Sequence, residues 1–79
     1  MSNTRFPIMK NTKEWPNSSN IKSAEYNEET QVLTITFIRG AKYAYTGVPV
    51  ETWLEFHNQD SPGTFFHNRI REHFDYQKV

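Results

Sequence analysis

Between Gln31 and Ile38 the side chains alternate: Leu33, Ile35 and Phe37 fall on one face, and Val32, Thr34, Thr36 and Ile38 on the other. A period of two rich in β-branched residues predicts a strand, with the first set as its core face. A shorter strand, Ile21 to Asn27, precedes it across the polar turn Asn27-Glu28-Glu29-Thr30. Gly40, able to take a positive φ, makes Arg39-Gly40-Ala41 a tight connection to a third strand, Lys42 to Thr46. Alternation then places Tyr43 and Tyr45 on the same side of the sheet.

Past Thr46-Gly47-Val48-Pro49 the period changes. Val50, Trp53, Leu54 and His57 recur at i, i+3, i+4 and i+7, which predicts a helix with Pro49 in its first turn, an end near Asn58 and this stripe facing the sheet. Ser61 stands as an N-cap and Pro62 as the first residue of a second helix running to about Phe74, with Phe66, Ile70 and Phe74 as its apolar line and Phe65 beside them. Asp75 to Val79 reads as a closing strand or a tail. Residues 1–17 show neither period and read as an extended arm, whose Phe6, Ile8 and Trp15 are available to the domain or to a neighbour. The expectation is an α+β domain over residues 18–79: a three-stranded antiparallel sheet, with room for a fourth short strand, and two helices packed on one face.

At 79 residues the chain has room for one core. A core of that size supplies roughly 3–5 kcal/mol, and the absence of cysteine removes disulfides as reinforcement, along with thiolate nucleophiles and thiolate zinc sites. Lack of cysteine also fits a reducing compartment, so a cytoplasmic location is expected. Nine basic and nine acidic side chains give zero formal net charge, so contact with a polyanion must come from a local patch. No stretch approaches the roughly 18 apolar residues of a membrane span, and the start lacks the apolar run of a signal peptide.

The order of these pieces is more particular than any one of them. Tyr43-Ala44-Tyr45 forms a central YxY; Leu33, Ile35, Phe37 and Gly40 precede it, and Val48-Pro49 follows. Ser61 and Gly63 then form Ser-x-Gly, and Phe66, Asn68, Ile70 and Arg71 follow, with Asn-x-Ile-Arg as the ending. In this series, covering about four-fifths of the chain, the sequence resembles the KTSC domain, the module named after the C-terminus of some lysyl-tRNA synthetases and also found in free-standing bacterial and phage proteins. The resemblance implies an RNA-binding role; it does not extend to residues 1–17.

On that basis Tyr43 and Tyr45 are candidates to stack on a base, Arg39, Lys42 and Arg71 to meet phosphate, and Ser61, Gly63, Phe66, His67 and Asn68 to complete the pocket. Two strand aromatics are equally ordinary as sheet stabilisers, and a serine before a helix as a cap. Arg69 and Arg71, two apart on a helix, point in different directions, and Arg71 is the one that the family pattern singles out. The Arg39 to Tyr45 segment departs from the RNP1 signature, because Ala41 and Lys42 stand where that signature has an aromatic.

His67 and His73 are six apart, His57 belongs to another helix, and no metal site follows. Asp60, Ser61 and His67 lack a nucleophile elbow, so no catalytic residue, enzyme activity or cofactor is expected. The expected partner is RNA or a small nucleotide. The alternative is a protein partner or a second copy of the chain, bound through the arm and exposed aromatics, as in a phage product acting on a host factor.

Overall fold

The computed structural model describes residues 12–79. The arm before Thr12, with Phe6 and Ile8, lies outside the described residues. Strand β3, Val32–Phe37, carries out its alternation: Leu33 and Ile35 are fully buried and Phe37 is packed against the core. Strand β2, Ile21–Asn27, pairs antiparallel with it, and a register shift between Ile21 and Ser23 brings Ile21, Ala24 and Tyr26 all to the core face. The turn between them is closed by Asn27, whose Oδ1 accepts the N–H groups of Glu29 and Thr30 at 3.0 and 3.2 Å. Gly40 takes φ +99° at the next turn, and Phe37 N–H donates to the Ala41 carbonyl across it. Strand β4, Lys42–Tyr45, then returns beside β3.

Among the described residues the sheet has five antiparallel strands, two more than the three read from periodicity. Strand β1, Thr12–Glu14, adds to β2, and strand β5, Tyr76–Lys78, adds to β4, in the spatial order β1-β2-β3-β4-β5. Each added strand has three residues, too few for a period of two to show. Trp15, just past β1, is 6% exposed, and its indole N–H donates to the Gln59 carbonyl at 2.8 Å. The last part of the expected arm is thereby joined to the core.

Helix α1, Val50–His57, begins one residue after Pro49, which stays extended. Its buried side chains are Trp53 and Phe56, with Val50 packed beside them, whereas Leu54 is 38% exposed. Of the expected stripe of Val50, Trp53, Leu54 and His57, Val50 and Trp53 thus face the core, and Phe56 takes the inward place expected for Leu54. The cause is aromatic packing: Phe56 meets Trp15 at 5.0 Å and Phe65 at 5.7 Å, and Trp53 stacks on Tyr26 at 5.5 Å with 11° between planes.

Helix α2, Pro62–Phe65, continues into a π-helical turn, Phe66–Ile70, in which Arg71 N–H reaches back five residues to the Phe66 carbonyl at 2.8 Å. The helix therefore stops well before Phe74, which leans on the core from the following loop. Ser61 occupies the N-cap position without a side-chain capping bond. No helix among the described residues is long and apolar enough to cross a membrane.

One buried polar contact has a measurable expectation. The Tyr26 hydroxyl donates to the Val48 carbonyl at 2.6 Å, tying β2 to the entry of α1. Tyr26→Phe leaves that carbonyl unpaired inside the core and should cost about 1–3 kcal/mol in urea unfolding, with the slope unchanged.

Candidate ligand-binding groove

Alternation along β4 divides its residues between two surfaces. Tyr43 and Tyr45 point to the side covered by the helices, but they meet different fates. Tyr45 is 3% exposed, set edge-on to Phe66 at 5.6 Å and against Tyr76 of β5 at 5.2 Å. It is a wall of the core rather than a stacking surface, because β5 covers it. Burial pushes its phenol pKa up, as do Tyr76 and Tyr43, while the Arg71 guanidinium lowers it. Tyr43 remains half-buried, with Phe37 at 5.9 Å and Tyr76 at 5.5 Å, both edge-on.

Tyr43 opens onto a hollow of about 560 Å³ shared with Phe37, Arg39, Phe66, His67 and Arg71. Among the described residues no carboxylate lines it. Arg71 Nη1 lies 3.4 Å from His67 Nδ1, a loose contact that leaves most of the guanidinium's donors uncommitted. Arg69 points elsewhere: it pairs with Glu55 at 2.9 Å and its guanidinium covers the Phe65 ring at 5.1 Å. The π-helical turn thus separates the two arginines as expected, with Arg71 on the groove.

Lys42 is absent from this hollow. It sits on the opposite, helix-free face of the sheet with Ser23, Glu25, Thr34 and Thr36, since its neighbour Tyr43 points inward. Ser61 and Asn68 line a second hollow of about 550 Å³, together with Asp60 and Thr64. The two hollows share Ser19, Asn20, Gly63 and His67 and so lie side by side as the two halves of a groove. Of the ten residues expected at the site, Tyr43, Arg39, Ser61, Gly63, Phe66, His67, Asn68 and Arg71 line it; Tyr45 and Lys42 do not.

The groove also uses a segment that the sequence reading passed over. Ser18 Oγ accepts the N–H groups of Asn20 and Ile21 at 3.2 and 3.1 Å, folding the loop so that Ser19 and Asn20 stand against α2. A methyl group on Gly63 would fall 3.0 Å from Asn20 Nδ2, so glycine here permits the close approach of loop and helix. The polar run Asn17-Ser18-Ser19-Asn20 before a strand was the available signal. Asp60, Ser61 and His67 share the second hollow, but no hydrogen bond among the described residues joins them to one another.

The family model of the KTSC domain matches residues 17–74. A lysine–tRNA ligase of Nostoc sp. is 36% identical over 74 residues, spanning 94% of this chain and 12% of the ligase, so the chain corresponds to a small part of that protein. An uncharacterised protein of Stutzerimonas stutzeri is 33% identical over 63 residues, 78% of this chain and 89% of that one. The crystal structure of a KTSC domain protein from Yersinia pestis superimposes with a TM-score of 0.74 at 34% identity, covering 80% of this chain and 89% of that chain. Matched in sequence over most of its length and in fold to a solved member, this chain belongs to the KTSC domain family.

Proposed function

We propose that the domain is a non-enzymatic binding module for RNA, which it grips through an unpaired nucleotide held in the groove. The observation that carries this reading is the union, in one hollow free of carboxylates, of the half-buried Tyr43 ring with Arg39 and Arg71. An aromatic face receives a base of any identity, and guanidinium groups receive phosphate through paired hydrogen bonds. The kinship with lysine–tRNA ligases, whose name places tRNA among their substrates, supports RNA as the source of that nucleotide. Zero net charge on the whole chain limits nonspecific attraction, so recognition rests on this local site.

Fluorescence anisotropy with a labelled single-stranded RNA tests the proposal. Binding is expected to weaken with salt, with a log–log slope of roughly −0.7 for each phosphate met, hence about −1.4 for two arginines. Absence of binding at low salt, or a slope several times steeper, would sink the idea of a local site.

A second reading, a protein partner or self-association, draws support from the outer edge of the sheet. There Tyr76 and Val79 are 55% and 66% exposed, beside β5, an edge strand among the described residues. Concentration-dependent dimerisation in sedimentation runs, lost on Tyr76→Lys, would favour it.

A further inference from the structure

The two halves of the groove differ in charge. Among the described residues, the first holds Arg39 and Arg71 and no carboxylate, and the second holds Asp60 and no lysine or arginine. A phosphate is drawn to the first half and repelled from the second, which fixes the direction in which an anionic ligand lies. What enters the second half carries no negative charge and is able to hydrogen-bond. Its lining offers the amides of Asn17, Asn20 and Asn68, the hydroxyl of Ser61 and the carboxylate of Asp60. Ser61 is free for this because its hydroxyl makes no capping bond. An ionised carboxylate only accepts, so it selects a donor, and an adjacent amide or hydroxyl both donates and accepts. A sugar hydroxyl meets that pattern, being donor and acceptor at once.

We propose that the Asp60 end of the groove reads the ribose 2′-hydroxyl of the nucleotide whose phosphate lies at Arg39 and Arg71, and so selects ribonucleotides over deoxyribonucleotides. This rests on the proposed function and specifies its ligand. The two halves share Asn20, Gly63 and His67, so a nucleotide reaching from Arg39 and Arg71 toward Asp60 passes along these residues.

The test uses the full 79-residue chain with two labelled strands of identical base sequence, one oligouridine and one oligodeoxyuridine, titrated at the same salt concentration. The ribo strand is expected to bind about tenfold more tightly, the worth of one hydrogen bond to a charged acceptor. Asp60→Asn and Asn68→Ala should each lower the ribo affinity toward that of the deoxy strand, while Glu72→Gln, on an exposed residue away from the groove, keeps the preference. Amide NMR spectra of each variant establish that it is folded. Equal binding of both strands overturns sugar selection and leaves the RNA-binding module standing. Binding of neither overturns both. A preference that survives both groove substitutions also overturns the assignment.

Discussion

Arg71→Ala should weaken RNA binding roughly ten- to a hundredfold, the range set by about 1.5–3 kcal/mol for hydrogen bonds to a charged group. Arg69→Ala, two positions earlier, should change it by no more than about twofold, because Arg69 is occupied by Glu55 and the Phe65 ring outside the groove. The contrast between the two is the sharper measurement. Both changes remove one positive charge from the same short helix, so a loss due to net charge alone would be alike in both. Arg71 reaches the groove because the π-helical turn carries it there, with its N–H bonded to Phe66 and Ile70 fully buried between the two arginines. Equal losses in anisotropy titrations would show that charge acts diffusely and that the groove is not the site.

Trp53→Ala should leave the chain unfolded at 25 °C. The side chain is fully buried, stacked on Tyr26 and surrounded by Phe56 at 6.4 Å and His57 at 5.3 Å. Truncating a buried tryptophan costs about 3–5 kcal/mol, as much as a core of this size supplies. Loss of far-UV circular dichroism and of amide dispersion would report it. Trp53→Phe is expected to remain folded. It gives up part of the ring area but also removes an indole N–H that has no hydrogen-bond partner among the described residues. A folded alanine variant would mean that the remaining aromatic cluster can close over the gap.

Much of the architecture was legible because its causes are local. The alternation of Leu33, Ile35 and Phe37, the glycine turn at Gly40 and the pairing of Tyr43 with Tyr45 on one side all follow from backbone geometry over a few residues. The same holds for the start of each helix beside a proline. The outward position of Lys42 follows from the same geometry, since the alternation that turns Tyr43 inward turns its neighbour outward. Other features left weaker traces. The rotation of α1 toward Phe56 depends on Trp15, about forty residues away in sequence, and a helical stripe with five apolar or aromatic candidates admits more than one face.

The sequence by itself determined the strand–hairpin–strand order, the two helices, the zero net charge and the collection of aromatic, arginine, serine and asparagine side chains from which a site is made. Only tertiary structure decided which of them meet. Tyr45 is closed off because a three-residue strand from the far end of the chain lays Tyr76 over it, while Tyr43, one pleat away, keeps part of its surface. The Ser19-Asn20 loop enters the groove because Gly63 lacks a side chain where the two approach. Direction along a strand or helix is set by neighbours in sequence, whereas cover is set by whichever distant segment arrives, and no local period records that arrival.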